Sequence, residues 1–256
     1  MISKLTILGC GSSVGVPRID GFWGKCNKRN KKNLRTRCSA LITKGSNNVL
    51  IDTSPDIKNQ LIHNKIKNIS SVIFTHLHAD QTNGLFELRP FFWKNKKRIR
   101  AYGDSTTMNY LNNRFSYLFN KINVYPPIMR KKIIKRTFYI GKGKDKINFK
   151  TIKVTHGKIY SIGYIFEKTA YLSDCNDLSI VYKEELRGVK YLILDCLRYK
   201  PHPSHFNLKE CIYIHSKIKP KKTILTNLHS DLDYNKLSKI LPKDMIAAFD
   251  GMRINL

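Results

Sequence analysis

The sequence predicts an α/β protein in which short buried strands alternate with amphipathic helices. Two observations support this class. Short β-branched and aromatic runs recur along the chain, separated by segments with apolar residues at helical spacing. Histidine and aspartate also stand directly after several of the predicted strands. Because no linker-like or low-complexity stretch interrupts the pattern, we expect residues 1–256 to form a single domain.

The first half of the chain is predicted to contain five strands and three helices. The strands are 4–8, 39–43, 48–52, 71–75 and 99–102, and a Gly-Ser-Asn turn joins the second and third into a hairpin. The helices are 57–66, 82–89 and 105–119. Pro55 with Asp56 and Asp104 with Ser105 mark the starts of the first and third helices.

The second half alternates in the same way after a basic, mixed segment at 120–150. Pro126-Pro127 and the Gly141–Gly143 turn break that segment, and we assign no element to most of it. The predicted strands are 149–155, 161–166, 169–173, 190–195, 222–226 and 245–249. The predicted helices are 178–186, 207–217 and 234–241.

The most informative stretch is Thr75-His-Leu-His-Ala-Asp80, which follows the predicted strand 71–75. Residues two apart in extended backbone point the same way, so His76 and His78 are expected to converge, with Asp80 alongside. Two imidazoles and a carboxylate are typical ligands of Zn²⁺ or a similar divalent ion.

Three other strands end at residues of the same chemical type. His156, Asp174 and His229 each stand just past a predicted strand, as His76 does. Each alone is more often an ordinary loop residue. Their shared placement favours a metal centre on the rim of a sheet, to which several strands contribute one side chain each.

Composition restricts the class of protein and its partners. No window approaches the roughly twenty apolar residues of a membrane span, and no targeting segment is visible, so we expect a cytoplasmic protein. The six cysteines are scattered and are expected to be reduced. The formal charge of +29 is consistent with RNA binding or with the composition of an AT-rich genome, and in either case it would steer anionic substrates.

Two loops are candidates for contact with such a substrate. The Gly9–Gly15 turn follows the first strand and either places backbone N–H groups near an anion or is a tight turn with no ligand. The long polar loop 17–38 carries several Lys and Arg residues, and we interpret it either as a wall beside the site or as a solvated flap.

These motifs resemble the metallo-β-lactamase superfamily, whose ligand motifs occur here in order: Thr75-His-Leu-His-Ala-Asp80, then His156, Asp174 and His229. The resemblance implies a four-layer αββα sandwich. Leu8-Gly-Cys-Gly-Ser-Ser-Val-Gly-Val-Pro17, His202-Pro-Ser-His-Phe-Asn-Leu208 and Leu225-Thr-Asn-Leu-His-Ser-Asp-Leu-Asp-Tyr234 resemble the phosphodiesterase branch more narrowly. Phosphoribosyl 1,2-cyclic phosphate phosphodiesterases are the nearest subgroup, and ribonuclease Z is a cousin.

The resemblance also implies roles for single residues. His76, His78 and His156 would bind one metal ion, and Asp80 and His229 a second, with Asp174 bridging. The chain has Gln81 where the family usually has histidine. An amide oxygen is a weaker and harder ligand than an imidazole nitrogen. We therefore expect Zn²⁺ in one or two sites, with Mn²⁺ as the alternative ion at the second site.

The function implied is metal-dependent hydrolysis of a small cyclic or sugar phosphodiester by attack of metal-bound hydroxide. His205 would protonate the leaving group, and Asp80 would orient the attacking water as well as bind metal. Two alternatives stay open, namely a tRNA 3′-processing-type endoribonuclease and a non-catalytic basic nucleic-acid-binding protein. The expected partners are a small anionic phosphodiester, with RNA and a second copy of the chain as further candidates and no membrane.

Overall fold

The computed structural model describes residues 2–178 and 182–256, and within them fourteen strands form two mixed sheets. The strands of the first sheet are β1 (Lys4–Gly9), β2 (Ser39–Lys44), β3 (Asn47–Ile51), β4 (Ser71–Ile73), β5 (Ile99–Gly103), β6 (Met129–Ile133) and β14 (Arg253–Asn255). The strands of the second are β7 (Thr137–Ile140), β8 (Ile147–His156), β9 (Ile159–Phe166), β10 (Thr169–Leu172), β11 (Tyr191–Asp195), β12 (Lys222–Thr226) and β13 (Met245–Ala247).

Helices cover the outer faces of both sheets. They are α1 (Ile57–His63), α2 (Ala79–Thr82), α3 (Arg89–Asn95), α4 (Ser105–Arg114), α5 (Ser116–Phe119), α6 (Tyr182–Glu185), α7 (Leu208–Ile218) and α8 (Tyr234–Ile240). Short 3₁₀ helices lie at Lys31–Asn33, Leu85–Leu88 and Gly143–Asp145. The architecture is the αββα sandwich of the metallo-β-lactamase fold.

Alternating side chains in the first sheet separate two regions of the core. In β1, Leu5 and Ile7 pack between the sheets, whereas Leu8 packs under the outer helices. In β2, Ile42 and Leu41 divide in the same way. Successive residues of a strand point to opposite faces, so these apolar runs bury both faces of the sheet.

The two sheets have the same order of antiparallel and parallel strand pairs. The first runs β14–β1–β2–β3–β4–β5–β6 and the second β7–β8–β9–β10–β11–β12–β13. In each sheet the first four strands are antiparallel neighbours, and the pairs that follow are parallel. The carboxyl ends of the parallel strands therefore collect at one edge of each sheet, as in other α/β ligand sites.

Several predicted boundaries are wrong. The helix predicted at 82–89 is divided into α2, a 3₁₀ turn and α3, and between them the amide of Gly84 donates to the Thr53 carbonyl oxygen at 2.9 Å, outside the helix. The helix predicted at 105–119 is interrupted at Phe115, which is not helical (φ −117°, ψ 41°). Part of the helix predicted at 178–186 lies outside the described residues, and α6 is the part observed.

Three strands were not predicted, namely β6, β7 and β14. Among the residues described, no helix has the length and apolar character that crossing a membrane requires.

Candidate metal centre

The chain leaves the first sheet at the end of β4 and brings two imidazoles together. Thr75 is held in place by Asp52, whose carboxylate accepts hydrogen bonds from the Thr75 amide and hydroxyl, both at 2.8 Å. His78 then caps α2, with extended backbone (φ −61°, ψ 153°). As a result, Nε2 of His76 lies 2.9 Å from Nδ1 of His78.

His156, the last residue of β8, completes a group of three histidines. Its ring centroid lies 5.1 Å from that of His76 and 5.2 Å from that of His78. One ring nitrogen from each residue can be chosen so that all three lie within 4.8 Å of one another. The second sheet thus supplies the third imidazole to a pair held by the first.

The surroundings keep two of these imidazoles neutral, which is the form that binds metal. Burial, followed by the neighbouring histidines, lowers the pKa of His76 well below its usual value. Burial lowers the pKa of His156 to about 4, although a hydrogen bond to the Ser204 carbonyl opposes the shift. Both rings therefore carry a free lone pair at neutral pH.

In His76 and His156, a hydrogen bond at Nδ1 leaves Nε2 as the nitrogen that is free to bind a metal ion. Nδ1 of His156 donates to the carbonyl oxygen of Ser204 at 2.8 Å, and Nδ1 of His76 lies 3.0 Å from the Thr75 hydroxyl. Ligating histidines in proteins characteristically donate their other N–H in this way. The three histidines therefore fit a divalent cation of the zinc type, and nitrogen donors of this kind suit Zn²⁺.

Asp174 lies in the loop after β10 with a left-handed backbone (φ 57°) and is buried. Its two carboxylate oxygens accept hydrogen bonds from the amides of Gln81 (3.1 Å) and Asn227 (3.3 Å). Burial, followed by the charge of Asp80, raises its pKa well above the usual value. Two neutral amides do not balance the charge of a buried carboxylate, so this position favours a cation beside it.

His205 and Asp195 form a pair next to this centre. Nδ1 of His205 lies 2.7 Å from Oδ2 of Asp195, and the two rings of His205 and His156 are 4.8 Å apart. Burial opposes the charged form of His205, but the carboxylate of Asp195 outweighs it and raises the pKa of His205 to about 9. The imidazole is therefore protonated at neutral pH.

Asp80 and His229, the residues predicted for the second ion, line the same cavity of about 390 Å³ as His78, His156, Asp174 and His205. His229 is oriented by Asp231, whose carboxylate lies 2.9 Å from its Nδ1. Among the described residues, however, Asp174 forms its close group with His156 and His205, and neither Asp80 nor His229 joins it. The second ligand set stays a prediction.

Gln81 is fully buried and faces Asp174 with its amide nitrogen. Its Oε1 has no hydrogen-bond partner within the described part of the chain. The side-chain nitrogen of Gln81 thus donates to Asp174, and the side-chain oxygen is the atom that could bind a cation. Whether that oxygen binds one stays a prediction.

The two candidate loops have different positions. Ser12, Ser13 and Val14 of the glycine-rich turn line the cavity. The loop 17–38 packs instead against the segment around His229: Arg35, fully buried, donates to the carbonyl oxygens of His229 and Leu232. Its observed role is to support the His229 loop.

Three residues of the site were not identified from the sequence. Asp52, Asp195 and Asn227 stand at or just after the ends of β3, β11 and β12. The Asn227 amide lies within 3.3 Å of both Asp174 and Asp195, so it joins the two buried carboxylates. The strand-end rule that selected His76 and Asp174 would have selected these three as well.

Comparison with known proteins gives a consistent picture. The family model described as "Beta-lactamase superfamily domain" matches residues 47–227. The crystal structure of a diphosphatase from the PhnP family is 32% identical with a TM-score of 0.91, and the match covers 100% of this chain and 98% of that one. Zn²⁺-bound PqqB from Methylobacterium extorquens is 15% identical (TM-score 0.79, coverage 99% and 100%). Human tRNase Z, short form, is also 15% identical (TM-score 0.70, coverage 98% of each chain).

An octanoyltransferase of Porphyromonas gingivalis is 30% identical over 257 residues, which is 97% of this chain and 51% of that protein. The chain therefore spans about half the length of this curated relative.

Proposed function

Because the chain belongs to the β-lactamase superfamily, in its phosphodiesterase branch, and is a hydrolase of the metallo-β-lactamase fold, we propose that it cleaves small anionic phosphodiesters with the help of one or two Zn²⁺ ions. One observation carries this proposal: His205, hydrogen-bonded to the buried carboxylate of Asp195, lies directly beside three converging imidazoles. This arrangement joins a cation site to a proton donor.

His76, His78 and His156 would hold the first ion and Asp80 and His229 the second, and Asp174 would be shared by both. Divalent cations held there would lower the pKa of a water molecule and balance the negative charge on the phosphoryl oxygens. Asp80 would accept a hydrogen bond from the attacking water and so orient it. Protonation of the leaving group would be the role of His205.

When water adds to phosphorus, the bond to the leaving oxygen breaks, and an alkoxide leaves poorly unless it takes up a proton. His205 would donate that proton from Nε2, since its Nδ1 is engaged by Asp195. Asp195 is fully buried and stabilises the protonated imidazole while the substrate binds. After the transfer, the neutral histidine regains a proton from solvent.

The similarity to the diphosphatase, which covers the whole chain at 32% identity, supports hydrolysis of a phosphate compound. The similarity to tRNase Z, at 15% identity, shows the fold alone. RNA therefore stays the second candidate, supported by the charge of +29. This chain matches about half of the length of the octanoyltransferase, so we do not extend acyl transfer to it.

The direct test is an assay of purified, metal-analysed protein against bis(p-nitrophenyl) phosphate, a cyclic ribosyl phosphate and a tRNA precursor. We expect His78→Ala to abolish turnover and to release bound metal, because it removes a predicted ligand. His63→Ala is the matched control, since His63 is exposed on α1 and its Nδ1 bonds the carbonyl oxygen of Asn59 in the same helix. If metal-loaded wild-type protein cleaved none of these diesters, the proposal would fail.

A further inference from the structure

We propose that an exposed aromatic surface beside α3 and α5 binds single-stranded nucleic acid, with bases stacked on its rings and phosphates held by the basic residues around it. We call this surface the aromatic patch, and its members are Phe86, Arg89, Trp93, Tyr117 and Tyr125. None of them lines the cavity of the candidate metal centre. The proposal therefore does not depend on which ester that cavity cleaves.

The rings of the patch are exposed and adjacent to one another. Trp93 is 52% exposed, Tyr125 67%, and Phe86 and Tyr117 42% each. Trp93, Tyr117 and Tyr125 line one cavity of about 350 Å³, and the ring centroid of Phe86 lies 6.4 Å from that of Tyr117. Single exposed apolar residues are ordinary, whereas contiguous ones mark interaction sites. The four rings therefore form one candidate contact surface.

Arg89 places a positive charge among these rings. Its guanidinium carbon lies 4.8 Å from the ring centroid of Phe86 and 4.9 Å from that of Trp93. Within the part of the chain that the structure describes, Arg89 forms no salt bridge. A guanidinium held by aromatic faces, without a carboxylate, keeps its charge for a phosphate group.

The sequence that forms the patch is strongly basic. Residues 89–136 contain thirteen Lys and Arg residues, and Asp104, the cap of α4, is the only acidic residue among them. Of these thirteen, Arg136 is the only one that forms a salt bridge to a described residue. Three exposed lysines lie within four residues of Trp93, namely Lys94, Lys96 and Lys97. The surroundings of the patch therefore favour an anionic partner.

The combination of rings and charge distinguishes the possible occupants. A second copy of the chain would bring the same basic surface to a two-fold contact, where like charges would repel each other. A duplex offers phosphates, but its bases are already stacked on one another. A single strand satisfies both features of the patch, because each base has a face for a ring and each linkage has a charge for a lysine or arginine.

Trp93 provides the direct test, because the chain has only two tryptophans. In the Trp23→Phe variant Trp93 is the remaining one, and we expect its fluorescence to be quenched saturably by an oligodeoxythymidine of about fifteen nucleotides. Fluorescence anisotropy with the wild-type chain should show at least about five-fold tighter binding of this strand than of a blunt duplex of the same length. That factor is the smallest expected contribution of one stacked base.

Variants of the patch locate the contact. Trp93→Ala and Tyr125→Ala should each weaken binding of the strand by about 5- to 150-fold, the range for loss of one stacked base. Arg89→Gln should reduce the slope of log affinity against log salt by about 0.7, the value for one phosphate contact. Tyr213→Ala is the matched control, because Tyr213 is 58% exposed on α7, outside the patch, and it should leave the affinity unchanged. Circular dichroism checks the fold of each variant.

Several results would overturn the proposal. Binding of the strand without quenching of Trp93, or equal losses of affinity in Trp93→Ala and Tyr213→Ala, would show that the strand binds elsewhere. Equal affinities for strand and duplex would show that charge alone holds nucleic acid. If the strand did not bind, and light scattering showed a wild-type dimer that Trp93→Ala dissociates, the patch would be a contact between copies of the chain.

Discussion

His205, which lines the cavity, is hydrogen-bonded to the fully buried carboxylate of Asp195. We expect His205→Ala to retain bound metal and to lower the rate by roughly 10²–10⁴ on an ester with a poor leaving group. An ester with a good leaving group, such as p-nitrophenolate, should be affected much less, since it departs without a proton. Equal activity of wild type and His205→Ala on the poor leaving group would contradict the assignment.

The same pair predicts a pH dependence. The pKa of His205 is raised to about 9, so the imidazole carries its proton at neutral pH and loses it as the pH rises through that value. For the poor leaving group, the rate should therefore fall above about pH 9. The pH profile of His205→Ala, measured in parallel, should lack this decrease.

Gln81 occupies a position where a second nitrogen ligand is expected from the family resemblance. Its amide nitrogen donates to Asp174, and its buried oxygen has no partner among the described residues. We expect Gln81→His to tighten binding of the second ion and to raise the zinc content of protein desalted at a fixed free Zn²⁺ concentration. Gln60→His, which changes a buried glutamine outside the cavity, should leave the zinc content unchanged. Unchanged zinc stoichiometry in Gln81→His would show that this side chain does not face the second ion.

At the scale of single elements, α7 positions the loop that carries His205. Its N-cap is Asn207, whose side chain accepts from the amides of Lys209 and Glu210, and Glu210 bonds back to the Asn207 amide. This capping box begins two residues after His205, and the loop before it also holds Ser204 against His156. The start of the helix and the geometry of the proton donor are therefore linked.

A pair of cap variants tests this link. Asn207→Ala and Asp104→Ala each remove the side-chain cap of one helix, α7 and α4, and each should cost about 0.5–2 kcal/mol of unfolding free energy. Only Asn207→Ala should also lower kcat, because the loop that leads into α7 carries His205, whereas neither α4 nor the segment before it lines the cavity. Chemical denaturation and steady-state kinetics measure the two effects. Comparable losses of kcat in both variants would show that general stability, and not α7, governs the rate.

The elements also show where sequence reasoning succeeds. The strands that lead to His76, His156, Asp174 and His229 are predicted from buried β-branched runs and are observed. That these residues bind metal stays a prediction. Asp195 also ends a predicted strand, but its hydrogen bond with His205, ten residues away, is not visible in the sequence. Pairing between sequence-distant side chains is decided by tertiary packing.

The missed elements have a similar cause. Strand β6 reads Met-Arg-Lys-Lys-Ile and lies at the edge of its sheet, where charged residues discourage further pairing. Such a strand lacks the alternation that identifies a half-buried one. The break in the helix predicted at 82–89 coincides with a hydrogen bond from the Gly84 amide to the Thr53 carbonyl oxygen, a long-range contact that the local pattern does not show.

At the scale of the whole molecule, the candidate centre lies between the two sheets. The first sheet contributes His76 and His78, and the second contributes His156, Asp174 and His205. The geometry of the centre therefore depends on how the sheets pack, and neither half of the chain holds a complete set of ligands. The shared core, in which residues such as Ile42 and Tyr164 belong to one cluster, fixes that relation.

The net charge of +29 is also a property of the whole molecule, and it distinguishes the two candidate substrates. A small diester is held by a few groups inside the cavity, so its kcat/KM should fall less than about ten-fold between 50 and 200 mM salt. If the basic surface neutralises 6–10 phosphates of a bound RNA, the affinity for that RNA should fall by roughly 10³–10⁵ over the same interval. We expect the first behaviour, measured by steady-state kinetics on bis(p-nitrophenyl) phosphate beside filter binding of a tRNA precursor. Salt-resistant, nanomolar binding of the precursor together with its specific cleavage would favour the endoribonuclease instead, because a sequence- or shape-specific contact would then outweigh the general attraction of charge.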